Sequence, residues 1–252
     1  MNFLIGFLLS VLVAGLAYYK HALNVSGFLS ASVVGTLIYG FGTYVIFALL
    51  MLFFITSSIF TKNKVKSRGR NGIQVIVNSG MALIFSLAYY ISNHEFFLLI
   101  SATSIAVSTA DTWASELGKY SKGSTVSIIN FKKIDKGQSG GISVLGTVAS
   151  LLGGLLIAVS FLLMTWNSFS IIPWYLTILF IMLGGFVGSV VDSILGILIQ
   201  EKYMNLKTNQ ITEVFDNKSQ YRLISGIKYI NNDMVNLLTS VIVTCASTLF
   251  LL

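Results

Sequence analysis

Long apolar runs separated by short polar connections dominate the chain, at roughly 2–19, 27–60, 72–92, 96–118, 141–165, 174–200 and 234–252. A helix needs about 20 residues to cross the hydrocarbon core of a bilayer. Most of these runs fit one crossing, but the run from 27 to 60 is too long for one helix and short for two. No stretch reads as a convincing strand. The pattern predicts an all-α, polytopic integral membrane protein, organised as a single domain over residues 1–252 with no soluble module.

Charge decides how the long run is used. The 16 Lys and Arg residues form four clusters: Lys20, Lys62 to Arg70, Lys119 to Lys136 and Lys202 to Lys228. If 27–60 is a hairpin turning near Gly40-Phe-Gly-Thr43, all four clusters fall on one side. The positive-inside rule then gives about eight crossings in the cell membrane, both termini on the non-cytoplasmic side, and a basic cytoplasmic face. Tyr18-Tyr19, Tyr89-Tyr90, Trp166 and Trp174-Tyr175 fall near the expected span ends, where an interfacial aromatic belt belongs.

Composition agrees with this reading. The chain is 55% hydrophobic and 10% charged, with a mean hydropathy of +0.83, outside the range of soluble domains. The net charge of +7 is accounted for by topology and an anionic partner, which leaves no reason to invoke nucleic acid. The run from Asn2 to Tyr19 reads as a first span rather than a removed leader, because its basic residue follows the apolar stretch. The single cysteine, Cys245, offers neither a disulfide framework nor a metal motif and is expected to be a packing residue.

Two carboxylates interrupt this pattern: Asp111 in Asp-Thr-Trp-Ala-Ser-Glu-Leu-Gly118, and Asp192 in Gly188-Ser-Val-Val-Asp-Ser-Ile-Leu-Gly196. An acid at membrane depth is costly unless paired, so the default reading is a functional site. Counted at about 1.5 Å per residue, both lie on the order of 10 Å from the cytoplasmic ends of their spans and can share one cavity. Small residues surround each, which lets helices approach closely. Oxygen donors without His or Cys favour a hard cation, Mg2+ or else Mn2+, with Glu116 and Asp233 as further ligands. Alternatively one acid is neutral, or bridges to Asn78 or Arg70.

Three more polar elements are expected on the same face. Lys66-Ser-Arg-Gly-Arg-Asn-Gly72, containing Arg68 and Arg70, leads into a span carrying Gln74 and Asn78, and brings a helix amino end to a basic strip. Lys132, Lys133 and Lys136 precede Ser139-Gly140-Gly141 at the entry to another helix, a second place for phosphate oxygens. Neither is a P-loop. Asn232 and Asn236, four apart where the last span opens, could be caps, interhelical donors or ligands.

Together, Asp111-Thr-Trp-Ala-Ser-Glu-Leu-Gly118, Gly140-Gly-Ile-Ser-Val-Leu-Gly146, Gly188 to Gly196 with Gln200, and Asn232-Asp-Met-Val-Asn236 resemble the membrane family called domain of unknown function 92. That family includes eukaryotic transmembrane protein 19 and the plant chloroplast phytyl-phosphate kinase. A more distant similarity reaches the phosphatidate cytidylyltransferases and polyprenol kinases. In those, an Asp with Gly-Lys, a Ser and lysine stretch, a Gly-Gly and a later acid follow in the order of Asp111, Gly118-Lys119, Ser127, Lys132-Lys133, Gly140-Gly141 and Asp192. The chain departs from relatives between Glu201 and Lys228, where it has neither Cys nor His.

The resemblance implies phosphoryl transfer from a nucleoside triphosphate to an isoprenyl monophosphate of the phytyl or geranylgeranyl type. Such transfer needs charge neutralisation and in-line positioning more than covalent chemistry. Asp111 and Asp192 are expected to hold Mg2+, with Lys136, gripping phosphate, as the third catalytic group. Arg68, Arg70, Lys132 and Lys133 would grip phosphates, and Asn78, Ser115, Ser139, Gly140, Gly141, Asn232 and Asn236 would complete the nucleotide and lipid-phosphate site. Nucleotidyl transfer to a lipid phosphate would use the same ions. A different class, an ion-coupled transporter, would use the acids as coupling-ion sites. Prenyl chain length, nucleotide preference and oligomeric state stay open.

Overall fold

The computed structural model describes residues 1–61, 69–208, 210–213 and 220–251. In chain order it contains α1 (Asn2–Tyr19), α2 (Val25–Thr61), α3 (Gly72–Ser92), α4 (Phe96–Gly118), β1 (Val126–Ser127), β2 (Gly141–Ile142), α5 (Val144–Thr165), α6 (Trp174–Leu198), β3 (Lys202–Asn205), β4 (Ile211–Thr212), β5 (Tyr221–Ser225) and α7 (Asn232–Leu251). All seven helices are long and apolar enough to cross a membrane.

The 37-residue α2 is two helical segments meeting at Thr43, whose φ of 69° and ψ of 172° leave helical geometry. A β-branched residue pays for positive φ, and here the Thr43 hydroxyl accepts the Val45 N–H at 3.3 Å and starts the second segment. The chain then folds back. The Tyr39 and Phe47 rings stand 5.5 Å apart, and a Cβ on Gly35 would touch the Phe47 ring at 3.4 Å. At the other end Arg70 bonds Ala22 and Asn24 through its backbone and lies over the rings of Phe53 and Phe54. The reversal that the basic clusters required at Gly40 to Thr43 is therefore present, and Lys20 and Arg70 share one end of the bundle.

Helix α4 is the central element, packed against α2, α3, α5, α6 and α7. Every residue from Leu98 to Ala110 is buried. Its hydroxyls hold neighbouring helices, as polar groups do in bilayers: Ser101 donates to Ala82 O at 3.3 Å, Ser108 to Asn78 O at 2.9 Å, and Ser104 pairs with Ser240 at 3.4 Å. Around α4 most large apolar side chains of α1 and many of α3, α5 and α6 are exposed, which suits a lipid-facing rim. Tyr18, Tyr19, Tyr90, Trp166, Trp174 and Tyr175 are exposed at helix ends, the arrangement of an aromatic belt. Cys245, expected to pack, is exposed.

Strands were not expected, yet two small antiparallel sheets form at the end of the bundle that carries the basic residues. β1 pairs with β2, and β3 pairs with both β4 and β5. They span only two to five residues each. Elements this short leave too little alternation in the sequence to be read.

Candidate phosphate and cation site

The packed stretch of α4 ends where Asp111 begins, seven residues before the helix closes at Gly118. Asp192 lies six residues before the end of α6 at Leu198, so both stand on the order of 10 Å along their axes from the same face. The expectation of equal depth holds. The two carboxylates, both half-buried, are close enough for each to feel the charge of the other. Among the described residues neither forms a salt bridge with Lys or Arg. Helix α7 supplies the neutral partners of Asp192. Thr239 Oγ1 donates to Asp192 Oδ2 at 3.4 Å, and the Asn236 amide, in the orientation that satisfies both its groups, donates to the same oxygen at 2.9 Å and to Asn232 O at 3.2 Å.

Beside this pair runs a second polar strip on α3 and its approach. The Arg70 guanidinium lies 5.5 Å from each of the Phe53 and Phe54 ring centroids. Burial lowers the Arg70 pKa and the Glu116 charge partly restores it; a guanidinium stays cationic throughout. The Gln74 side chain on α3 stands near the Asp233 carboxyl at the opening of α7. Asn78 Nδ2 donates to Gln74 O at 2.7 Å and Ser115 Oγ to Thr112 O at 3.1 Å, so both point back along their own helices. Glu116 pairs with Lys119 at 3.3 Å. Five residues from Asp111 is about 140° around a helix, which turns Glu116 toward the cations rather than the acid pair.

The helix amino ends are less open than the sequence suggested. Asn71 and Gln74 form a reciprocal capping box on α3, and Ser26 Oγ takes the Gly72 N–H at 3.1 Å. Ser143 caps α5 by accepting from Gly146 at 3.2 Å. Lys132 and Lys133 are exposed on the loop, while Lys136 Nζ donates to Ser121 O at 2.6 Å. The structure thus gathers Asp111, Asp192, Asn232 and Asn236, while Arg70, Gln74 and Asn78 line a separate cleft against α1 and α2. It does not aim Ser115, Glu116, Lys132, Lys133 or Lys136 at the acids. Arg68 lies outside the described residues.

Ser139 and Gly140 do reach the acid-bearing helix. Gly140 has a φ of +81°, which favours glycine, and a Cβ there would collide with the Ile197 side chain and approach Ser193 O at 2.9 Å. The loop is thereby seated on the last turns of α6, next to Asp192. Gly141 packs against Thr125 and Ile134.

Residues 8–244 match the family described as Integral membrane protein DUF92. The chain belongs to that family. This DUF92 chain is 31% identical to Protein PGR of Arabidopsis thaliana, over 95% of its own length and 94% of the relative's. It is 27% identical to Uncharacterized membrane protein MJ0933 of Methanocaldococcus jannaschii, over 73% and 77% of the two chains. It is 25% identical to Protein VTE6, chloroplastic, of Arabidopsis thaliana, over 91% and 66%. No solved structure matches.

The DUF92 site also has a support that its sequence did not disclose. Glu213 accepts from Ser139 N–H at 2.9 Å, Ser139 Oγ at 2.6 Å and Gln200 Nε2 at 3.0 Å, and Lys202 Nζ donates to Ser139 O at 3.2 Å. Burial lowers the Lys202 pKa, with Glu213 opposing. The latch joins the Gly140 loop to the β3–β5 sheet across 74 residues of sequence, a separation no local pattern reports. Bonds to a charged acceptor are each worth about 1.5–3 kcal/mol. Glu213→Gln is expected to speed limited proteolysis of the 119–141 segment several-fold in the detergent-purified protein, with the helical circular dichroism unchanged.

Among the described residues no three His, Cys, Asp or Glu side chains cluster. Two carboxylates flanked by amide and hydroxyl groups suit Mg2+, which is held by one or two carboxylates together with substrate phosphates and water. They do not suit a structural zinc site, which takes four protein ligands.

Proposed function

We propose that this membrane protein is a Mg2+-dependent kinase of isoprenyl monophosphates. The observation that carries the reading is the approach of Asp111 and Asp192 from two different helices at one depth. Two like charges in a half-buried recess repel each other, and a divalent cation with bound phosphates relieves that repulsion. The resemblance noted above supplies the reaction, and membership of the DUF92 family and likeness to VTE6 support it.

In the proposed reaction an oxygen of the lipid monophosphate forms a bond to the γ-phosphorus of the nucleotide. The bond from that phosphorus to the β–γ bridging oxygen breaks, and a nucleoside diphosphate leaves. Bound Mg2+ would neutralise phosphate charge as it passes from one oxygen to another. Asp111 and Asp192 would hold that ion, Asn236 and Thr239 fix the Asp192 carboxylate, and Arg70 would draw the lipid phosphate toward the pair. The monoester is already an anionic nucleophile, so no general base is required. We place the site on the cytoplasmic face, with eight crossings and both termini outside, since Lys20, Arg70, Lys119 and Lys202 stand at that end.

The test is transfer of labelled phosphate from a nucleoside triphosphate to phytyl or geranylgeranyl phosphate by purified protein. Release of a nucleoside diphosphate is expected. Release of pyrophosphate with a nucleotide-linked lipid would replace kinase with nucleotidyltransferase. A transporter is disfavoured by the acids' shallow position toward one face, since coupling-ion sites lie near the midplane.

A further inference from the structure

The loop between α4 and α5 carries an exposed tip. Ile129, Asn130, Phe131, Lys132 and Lys133 are all exposed, with 48% of Ile129 and 70% of Phe131 accessible. We propose that this tip anchors the protein to the bilayer surface at the basic end of the bundle. Ile129 and Phe131 enter the boundary between headgroups and acyl chains, and Lys132 and Lys133 bind anionic phospholipid headgroups. The anchor is independent of the kinase reading.

Short-range bonds hold the tip in one shape. Ser127 N–H donates to Lys132 O at 2.9 Å, Phe131 N–H to Ser127 O at 2.9 Å, and Lys132 N–H to the Asn130 side chain at 3.1 Å. This turn sets Phe131 at a φ of 55°, a conformation costly for a bulky residue and easier for Asn or Gly. Yet it is the aromatic ring, and not the adjacent Asn130, that takes the left-handed position. In water the ring offsets none of this strain; burial in the bilayer boundary does.

The bilayer is within reach. Ile128 N–H bonds Gly140 O at 3.1 Å, and Gly140 is seated against Ile197, one residue before α6 ends at Leu198. Phe131 follows Ile128 by three residues, at most about 11 Å of chain, and the headgroup layer adds about 5–8 Å to each side of the hydrocarbon core. Charge fits the same partner. Between Tyr120 and Gly141, Lys122, Lys132, Lys133 and Lys136 are opposed by one acid, Asp135. Leaflets rich in anionic lipid attract such segments, and lysine stems lie along apolar surface while their ammonium groups meet phosphates. A second loop repeats the combination. Tyr229 has a φ of 76°, is 69% exposed and lies under Lys228 Nζ at 4.9 Å, three residues before α7 opens at Asn232. An aromatic ring and a cation beside the end of a spanning helix are typical of membrane interfaces.

The experiment places a nitroxide at Ile129→Cys, in the full chain with Cys245→Ser, and measures its collisions with oxygen and with a water-soluble nickel chelate. The protein is reconstituted in phosphatidylcholine vesicles with or without about one-third phosphatidylglycerol. With phosphatidylglycerol, oxygen should dominate, whereas a label at Ser124→Cys, exposed on the same loop, should meet mainly nickel. Lys132→Gln and Lys133→Gln should each lower the inserted-to-free ratio about five-fold. Phe131→Gly should lower it about ten-fold and leave the melting temperature in detergent unchanged or higher, since glycine tolerates the positive φ. Nickel dominance in both vesicle types would overturn the anchor. Low access to both reagents would overturn it too, since protein rather than lipid would then cover the tip. Equal insertion without phosphatidylglycerol would remove the anionic partner, and a lower melting temperature for Phe131→Gly would make the ring a packing residue. None of these readouts involves phosphoryl transfer.

Discussion

Asp111→Asn and Asp192→Asn should each abolish most phosphoryl transfer while making the metal-free protein more resistant to heat. The two effects have one cause. Asn matches Asp in shape, so Asn236 and Thr239 can still donate to the side-chain oxygen at position 192. What disappears is one of two carboxyls that, when both are ionised, face each other without a Lys or Arg among the described residues. The folded state then loses a repulsion, and the melting temperature in chelator should rise. The site also loses its means of holding a cation against the nucleotide. A single preorganised electrostatic contact is worth about 10²–10³ in kcat, and the double variant should sit at background. A matching readout is the stabilisation conferred by Mg2+ itself. Anything that binds only the native state raises apparent stability, so added Mg2+ should raise the wild-type melting temperature and leave the double variant unmoved. Full activity in the double variant would sink the cation assignment. Reduced activity accompanied by a lower melting temperature would instead mark the acids as structural.

How much of this was legible in the sequence follows from the range of each interaction. Asp111 and Asp192 stood out because a carboxylate in an apolar run is a local anomaly, and their depth followed from a rise per residue. The reversal in α2 was legible through charge, since placing Lys20 and Arg70 at one end requires it, but the residue that turns the chain was known only to within a few positions. Asn232 and Asn236 were read as caps, interhelical donors or ligands without preference; in the fold Asn231 accepts the Met234 N–H and Asn236 is an interhelical donor to Asp192. Glu213 could not be found, because its partners Ser139 and Gln200 come from separate elements and its surroundings are an ordinary polar stretch. Lys132, Lys133 and Lys136 do not point at the acids in the fold. A basic loop is demanded by topology before it is demanded by any ligand, and Lys136 spends its ammonium on Ser121.

The architecture also explains why small residues crowd around the acids, and this leads to the second large effect. Helices α4, α5 and α6 meet where Gly154 and Gly185 stand. A Cβ on Gly154 would lie 2.7 Å from Met182 O, and one on Gly185 would lie 3.0 Å from Ala106 O and 3.2 Å from the Gly154 Cα. These are backbone atoms, which cannot swing aside as a side chain can. Gly154→Ala must therefore push α5 from α6. Overpacking of this kind costs about 1–3 kcal/mol, and it acts on the helices that set the separation of Asp111 and Asp192. Gly80 on α3 is the matched comparison, since a Cβ there meets nothing within 4 Å. Replacing a helical glycine by alanine in open space gains up to about 1 kcal/mol. The expected result is opposite signs for one and the same chemical change: Gly154→Ala lowers the melting temperature and the phosphoryl-transfer rate together, whereas Gly80→Ala raises the first and leaves the second alone. Both are measured on detergent-purified protein. If the two variants behave alike, the close contact of α5 and α6 is not what holds the acid pair at its working distance.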